Sequence, residues 1–182
     1  MIRIPRPNPC VAVLIDLDNI ELREGKRVRI NWHRFFKELD NYRIHRAIAY
    51  KPERFLSERM KSFYLRSGLE LYPTTGNSDA WFLADSIRLA HRVDSVIFLT
   101  GDICVLPFIP LLEATGVSVE IRAWRKNTSK LLIDSIQRFV PLSDDIISNS
   151  NGSKPSTPPL AHPIEDYTNS NGRSFRRNGQ QR

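Results

Sequence analysis

Apolar runs alternate with segments of helical periodicity along the first 142 residues of the chain. Residues 11–15 and 95–100 form two nearly uninterrupted apolar runs, which are typical of strands buried on both faces of a parallel sheet. The pattern predicts further strands over residues 42–50, 69–72 and 117–124, and helices over residues 32–39, 53–67, 79–92, 104–113 and 130–139. This alternation predicts an α/β fold with a doubly wound, mostly parallel central sheet.

Composition divides the chain into three parts. Residues 1–9 form an arm rich in proline and arginine, residues 10–142 form the predicted domain, and residues 143–182 form a predicted disordered tail rich in Ser, Asn, Pro and Arg. The two cysteines, Cys10 and Cys104, do not form a close-spaced pair, so no disulfide framework or zinc cluster is indicated. Because the sequence has neither a secretory signal nor an apolar membrane span, we expect a cytoplasmic protein with no membrane contact.

Polar residues directly follow both buried strands. Asp16 ends the first strand, with Asp18 and Asn19 close behind it, and Gly101-Asp102 follows the second. The carboxyl ends of parallel strands form the ligand crevice of open α/β sheets, so the pattern predicts a site there. A second interpretation stays open for Asp18 and Asn19, because both residue types also favour tight turns.

Two more carboxylates lie on the predicted helix 79–92. The helix dipole also explains Asp79 in the first turn, whereas Asp85 has apolar neighbours and needs a partner, which could be a cation, a backbone donor or Arg88. We expect the sheet to gather Asp16, Asp79, Asp85 and Asp102 at one edge. Carboxylates this close repel one another unless a divalent cation neutralises them, and oxygen ligands favour Mg²⁺ or Mn²⁺. The hypothesis is a metal ion held by Asp16, Asp79 and Asp102, which activates water at a phosphodiester.

The charge of the chain indicates a polyanionic partner. The 27 Lys and Arg residues exceed the 20 Asp and Glu residues, which gives a net charge of +7. A basic domain with acids at its strand ends favours a polyanion held near metal ions. The loop over residues 21–29 carries the candidate phosphate contacts, which are Arg23, Lys26, Arg27 and Arg29. A merely solvated basic surface is the alternative, which charge alone does not exclude.

Several segments together resemble a known family. They are I-D-L-D-N at 15–19, G-N-S-D-A-W-F-L-A-D at 76–85, F-L-T-G-D-I-C-V-L-P-F-I at 98–109, L-E-A-T-G-V-S-V-E at 112–120 and K-L-L-I-D-S-I-Q-R-F-V-P-L at 130–142. In order and spacing they are similar to an NYN-type domain of the PIN-like nuclease superfamily, in the LabA-like or DUF88 branch. The resemblance implies a Rossmann-like, three-layer α/β/α domain and metal-dependent ribonuclease activity on RNA. It also implies an acidic site at Asp16, Asp79, Asp85 and Asp102, with Asn19 in support.

The chain departs from the family pattern at two positions. Cys104 stands where the family commonly has a second acid after the Gly-Asp pair, and a thiol in apolar surroundings is a poor Mg²⁺ ligand. Thr75 stands beside Gly76 where the family usually has a lysine before the helix acid. Both departures concern the metal site and leave the predicted fold unchanged.

Three other functions are compatible with parts of the pattern. A non-catalytic RNA-binding or regulatory module would keep the fold with a decayed metal site. Asp16-Leu17-Asp18 and Thr100 are similar to motifs of haloacid-dehalogenase-like phosphatases. Two features argue against that class: Ile20 stands where it usually has threonine or valine, and no later lysine and acidic motif follow in the right order. A protein-interaction scaffold would leave the strand-end acids unexplained. The RNA substrate, the cleavage mode, and the existence of a homo-oligomer or a protein partner stay open.

Overall fold

Six parallel strands form the central sheet, with helices on both faces. The structure is a computed structural model that describes residues 8–76 and 78–148. The sheet strands are β1 (Cys10–Asp16), β4 (Arg43–Pro52), β5 (Glu70–Thr74), β6 (Ser95–Leu99), β7 (Ser118–Ala123) and β8 (Phe139–Pro141). The helices are α1 (Leu17–Ile20), α2 (Trp32–Lys37), α3 (Glu58–Arg66), α4 (Asp79–Ala90), α5 (Ile109–Ala114) and α6 (Lys130–Ser135). A separate hairpin contains β2 (Leu22–Arg23) and β3 (Lys26–Arg27).

The strand order is β5-β4-β1-β6-β7-β8, and every neighbouring pair is parallel. Counted among the parallel strands alone, this is the 3-2-1-4-5-6 order of doubly wound sheets. The order reverses between β1 and β6, and such a switch point opens a crevice at the carboxyl ends of the two strands. The predicted α/β fold with a largely parallel sheet is therefore confirmed.

The side chains of β1 enter two separate cores in alternation. Val11, Val13 and Ile15 pack with α2 and α3 on one face, and Ala12 and Leu14 pack with α4 and α5 on the other. Residues 11–15 are all fully buried, as the apolar run predicted. Because successive strand residues point to opposite faces, Asp16 lies on the face that α4 covers.

Several elements differ from the sequence prediction. The predicted helix 53–67 is a 3₁₀ turn, Glu53–Phe55, followed by α3, which begins where the Ser57 hydroxyl caps the N–H of Met60 at 3.3 Å. The predicted helix 104–113 begins as a 3₁₀ helix, Ile103–Phe108, which contains a proline that cannot donate a backbone hydrogen bond. The helix predicted over residues 130–139 is shorter than expected, because α6 ends at Ser135 and β8 begins at Phe139. The sheet therefore has one strand after the one predicted over residues 117–124.

The folded part of the chain continues past residue 142, where the sequence predicted the start of the tail. Residues Asp144–Ile146 form a 3₁₀ helix, and Ile146 is 1% exposed. The carbonyl of Ile146 accepts a hydrogen bond from the Asn31 N–H at 2.7 Å, and Ile147 forms a β-bridge with Ile30. Apolar contact therefore orders six residues of a segment whose overall composition is polar. Residues 149–182 of the predicted tail and residues 1–7 of the predicted arm lie outside the described residues.

Within the described part of the chain, no helix is both long enough and apolar enough to cross a membrane.

Candidate functional site

A cleft of about 630 Å³ opens at the carboxyl ends of β1 and β4, next to the residues that follow β6. This is the switch point of the sheet, where doubly wound proteins bind their ligands. One side of the cleft is acidic and the other is apolar and basic. The lining residues are Asp16, Asp18, Asn19, Leu22, Pro52, Arg54, Phe55, Gly76, Ser78, Asp79, Asp102 and Asn127.

Asp16 is the last residue of β1 and caps the short helix α1. Its Oδ1 accepts a hydrogen bond from the Asn19 N–H at 3.3 Å. The pKa of Asp16 is raised to about 6, first by burial and then by the negative charges of Asp79, Asp18 and Asp102, against a lowering by the Asn19 N–H. The carboxylates from three separate elements therefore share one electrostatic site.

Asp102 follows β6 and caps the 3₁₀ helix Ile103–Phe108. Its Oδ1 accepts a hydrogen bond from the Cys104 N–H at 3.0 Å, and its own N–H donates to Thr100 Oγ1 at 3.1 Å. Asp79 approaches from the first turn of α4. Single ligand atoms of Asp79, Asp102 and Cys104 all lie within 4.8 Å of one another, a spacing that no other set of three such residues reaches in the described part of the chain. Asp16 lies in the same cleft but outside that tighter group.

The chemistry of these donors fits a hard divalent cation. Mg²⁺ in proteins typically takes one or two carboxylates and keeps several waters, and Asp79 and Asp102 supply the carboxylates with Asp16 nearby. Cys104 adds little to this donor set, because a soft sulfur ligand suits Mg²⁺ poorly. Without a cation, burial and the charges of Asp102, Asp79 and Asp16 raise the pKa of its thiol to about 12. The thiol is therefore protonated and uncharged at neutral pH, when no cation offsets the carboxylates.

Asn19 connects the ends of the two central strands. Its side-chain Oδ1 accepts a hydrogen bond from the Gly101 N–H at 2.8 Å, so it links α1 to the residue before Asp102. Gly101 in turn packs against the loop after β7, because a Cβ there would lie 2.8 Å from Thr128 Oγ1 and 3.0 Å from the Asn127 carbonyl oxygen. Asn19 thus does more than favour a turn, and the lack of a side chain at Gly101 lets the loop after β7 approach closely.

Asp18 belongs to a buried ion-pair network that the sequence analysis missed. Lys51, near the end of β4, is 1% exposed, and its Nζ lies 2.6 Å from Asp18 Oδ1 and 3.4 Å from Glu21 Oε2. Glu21 also accepts a hydrogen bond from the Tyr64 hydroxyl at 2.6 Å, and burial together with this bond raises the pKa of Tyr64. The signal in the sequence was a lysine that follows four apolar residues of a buried strand, A-I-A-Y-K at 47–51.

Asp85 has its partners outside the cleft. The Tyr50 hydroxyl donates to its Oδ2 at 2.8 Å, and Arg88 Nη1 pairs with its Oδ1 at 2.7 Å, so the partner that the sequence suggested is present. Burial and the hydrogen bond to Asp85 raise the pKa of Tyr50.

Six residues of α-helix separate Asp85 from Asp79 by roughly 9 Å along the axis. Of the four acids expected at one edge, the structure brings Asp16, Asp79 and Asp102 together in the cleft and leaves Asp85 out of its lining.

The predicted basic loop forms the β2–β3 hairpin instead of an irregular loop. Arg23 pairs with a carboxylate of the last 3₁₀ helix at 2.8 Å, and the guanidinium of Arg29 lies 4.3 Å from the centre of a phenylalanine ring of α3. Lys26 and Arg27 are exposed, and no carboxylate of the described residues forms an ion pair with either. Two of the four candidate phosphate contacts thus already have partners within the chain, while RNA contact by the four residues stays a prediction.

The apolar and basic side of the cleft was not predicted from the sequence. Leu22, Arg54, Phe55 and Asn127 line it. Asn127 holds the β2–β3 hairpin in place with both ends of its side-chain amide. Its Nδ2 donates a hydrogen bond to the Leu22 carbonyl at 3.2 Å, and its Oδ1 accepts one from the Glu24 N–H at 3.0 Å. The helical period of residues 53–67 concealed Arg54 and Phe55, since it assigned them to a helix that begins only at Glu58.

Comparison with known proteins agrees with this architecture. The model of the NYN domain matches residues 10–144. Among curated proteins, none has significant sequence similarity to the chain. Among solved structures, the chain is similar to VPA0982 of Vibrio parahaemolyticus RIMD 2210633, a protein of unknown function, with 23% identity and a TM-score of 0.70 over 80% of this chain and 100% of that one. At this identity the likeness shows the fold alone.

The family match includes every residue that lines the cleft. It does not distinguish branches within the family, so the LabA-like or DUF88 branch stays a prediction. Because the match covers residues 10–144 of 182, the chain belongs to the NYN domain family, a member of the PIN-like nuclease superfamily.

Proposed function

We propose that the protein is a metal-dependent ribonuclease that hydrolyses RNA phosphodiester bonds in the cleft at the switch point. One observation carries the proposal: Asp16, Asp79 and Asp102 reach the same cleft from β1, α4 and the turn after β6. A folded chain does not hold three carboxylates together without cost, and a bound cation removes that cost. The family assignment supports RNA as the substrate.

The residues of the cleft have separate roles in this proposal. Asp79 and Asp102 would hold Mg²⁺ or Mn²⁺, since a carboxylate oxygen of each lies within 4.8 Å of one of the other. Asp16 lines the same cleft and would bind the ion or accept a proton from water beside the scissile phosphate. Asn19 keeps the ends of β1 and β6 at a fixed distance, and Lys51 fixes Asp18 at the rim. When bound, the divalent ion supplies charge neutralisation at the phosphate and a lowered pKa of water.

A non-catalytic RNA-binding module is the second candidate. Cys104 favours it, because a protonated thiol occupies a position in the donor group where the family commonly has another acid. In that case the carboxylates would hold a cation weakly and RNA would bind without cleavage. The cytoplasmic location stays part of this proposal, and oligomeric state and protein partners stay open.

Cleavage of end-labelled RNA tests the proposal directly. Purified full-length protein is incubated with single-stranded and hairpin RNAs in Mg²⁺, in Mn²⁺ and in EDTA. The wild-type protein is expected to yield products only with metal, and Asp16→Asn and Asp102→Asn are expected to reduce the rate to background. Asp40→Asn is the matched control, because Asp40 is exposed and lies just before the start of β4, at the opposite edge of the sheet.

Three results would count against the nuclease. Products that form equally in EDTA would indicate a contaminating, metal-independent enzyme. Equal loss of activity in the Asp40→Asn control would indicate a general effect of removing charge. RNA binding without products under any metal condition would leave the RNA-binding module as the function.

A further inference from the structure

An exposed aromatic ring stands in the cleft beside an arginine. Phe55 ends the 3₁₀ turn after β4, lines the cleft and is 48% exposed. The guanidinium carbon of Arg54 lies 4.8 Å from the centre of the Phe55 ring. None of the described carboxylates forms an ion pair with Arg54. Opposite its carboxylates, the cleft thus holds an exposed aromatic ring with the Arg54 guanidinium over one face, and no carboxylate of the described residues pairs with that guanidinium.

The position of this pair follows from the sheet. Pro52 ends β4 next to β1 in the sheet, so the turn that follows it rises at the same edge as Asp16. A second hollow of about 270 Å³ adjoins the cleft and shares Pro52 and Arg54 with it. Its other lining residues, Glu53, Thr74 and Thr75, extend the depression toward the carboxyl end of β5. An extended strand could therefore run from the acidic site past Arg54 to the edge of the sheet.

We infer that Phe55 and Arg54 form a stacking platform for an unpaired RNA base next to the acidic site, with Arg54 contacting the adjoining phosphate. The inference rests on the proposed function, which supplies RNA as the substrate. It adds that the bound RNA is single-stranded and that Phe55 and Arg54 contact it. A nucleotide combines a flat apolar face with an anionic phosphate, and the pair offers a complementary surface for each. In a duplex the base is already stacked between its neighbours, so it presents no face to the ring.

The carboxylates across the cleft strengthen this choice of ligand. Without a cation, Asp16, Asp79 and Asp102 repel a phosphate, so the cleft needs contacts that do not depend on metal to hold RNA. Stacking on Phe55 is independent of charge. The platform therefore gives affinity for RNA from a part of the cleft that the metal site does not supply.

Fluorescence of 2-aminopurine tests the stacking contact. A set of short single-stranded RNAs carries the fluorescent base at successive positions, and each is titrated with full-length protein in Ca²⁺, with the RNA checked for integrity afterwards. One position is expected to be quenched on binding. Phe55→Ala is expected to abolish that quenching and weaken binding about tenfold, while Phe55→Trp retains both. Leu111→Ala is the control, because it removes an exposed apolar side chain of α5 outside the cleft lining.

The outcomes separate this inference from the proposed nuclease. Quenching that depends on Phe55, in a protein that never cleaves RNA, supports the platform and overturns the nuclease. Metal-dependent cleavage with no quenched position, or with quenching and affinity unchanged in Phe55→Ala, supports the nuclease and overturns the platform. Equal binding of a fully paired RNA also overturns the platform.

The salt dependence of binding tests Arg54 separately. Each phosphate contact of a single strand contributes about 0.7 to the slope of log affinity against log salt concentration. Arg54→Gln is expected to reduce that slope by about 0.7 and leave the quenched position unchanged. An unchanged slope would remove the phosphate contact from the platform.

Discussion

The side chain of Asn19 accepts a hydrogen bond from the backbone N–H of Gly101 at 2.8 Å, across the switch point of the sheet. The same asparagine donates its backbone N–H to Asp16, and Gly101 precedes Asp102. One residue thereby fixes the relative position of the two strand-end aspartates. The distance between two carboxylates of the cleft consequently depends on a neutral side chain.

Replacement of Asn19 by Ala is expected to destabilise the fold by about 1–3 kcal/mol, because it leaves the buried N–H of Gly101 without its partner. Urea denaturation of wild-type and variant proteins measures the change. Asn41→Ala is the control, since Asn41 is exposed, and its stability is expected to match that of the wild type. Equal stability of Asn19→Ala would mean that water replaces the asparagine without loss.

Gly101→Ala is expected to destabilise the protein by about 1–3 kcal/mol for a different reason, which is overpacking. The added Cβ would lie 2.8 Å from Thr128 Oγ1 and 3.0 Å from the backbone oxygen of Asn127, so the loop after β7 must move. Thermal and urea unfolding measure the effect. Gly76→Ala is the matched control because a Cβ at Gly76 meets no atom within 4 Å. A stable Gly101→Ala variant would show that this loop yields easily.

Lys51→Met is expected to cost about 3–5 kcal/mol, because it leaves Asp18 and Glu21 without the buried cation that pairs with them. Adding Glu21→Gln to the variant removes one of the uncompensated charges and is expected to restore part of the stability. Equilibrium denaturation of the single and double variants gives the coupling between the two positions. Purely additive losses would indicate that Lys51 and Glu21 do not interact in solution.

Divalent metal is expected to raise the midpoint of thermal unfolding, because the ion binds the folded protein alone. At a concentration one hundred times the Kd, the gain is about 2.7 kcal/mol. Mg²⁺ or Mn²⁺ should stabilise the wild type and Asp40→Asn equally, with the gain abolished by EDTA. Asp102→Asn should show little or no gain. A similar gain in Asp102→Asn would place the ion elsewhere.

Asp16 is expected to reduce the stability of the metal-free protein as the pH rises from about 4 through 6. The pKa of Asp16 is raised from 3.8 to about 6 in the folded chain, so the folded state binds its proton more tightly than the unfolded state does. Ionisation at higher pH then penalises the folded state. Urea denaturation in EDTA at pH 5 and pH 7.5 measures the difference between wild type and Asp16→Asn. The variant lacks the titrating group and should lose less stability over this interval.

The family assignment also decides among the alternatives raised by the sequence. The match to the NYN domain leaves the haloacid-dehalogenase-like phosphatase without support. The family match is compatible with both an active nuclease and an RNA-binding module. The two differ in how tightly the cleft binds a divalent cation. Cys104 bears on that difference, because its sulfur lies close to ligand atoms of Asp79 and Asp102 and brings no carboxylate to the group.

Hydrophobic patterning alone predicted five of the six strands of the central sheet and placed Asp16 and Asp102 at its carboxyl edge, but it missed β8 and the β2–β3 hairpin. A short apolar run with β-branched residues is typical of an inner strand of a parallel sheet, and the residue after such a strand lies at the carboxyl edge. The same local reasoning failed where helical periodicity continued through a turn, as at Arg54 and Phe55. It also ended the domain too early, because polar composition around Ile146 concealed a buried side chain.

Apart from the Asp85–Arg88 pair within α4, which the sequence suggested, the contacts between polar residues depend on how distant elements pack together. Asp85 and Asp79 share one helix, yet the helix directs Asp85 to Tyr50 and Arg88 while Asp79 reaches the cleft. Lys51 neutralises Asp18 from a strand that lies more than thirty residues away in the sequence. Pairing of charges depends on distances of a few ångströms between elements, and those distances are set by packing of the whole sheet. Local pattern therefore predicts where a carboxylate stands, and tertiary packing decides whether it binds a cation or a neighbour.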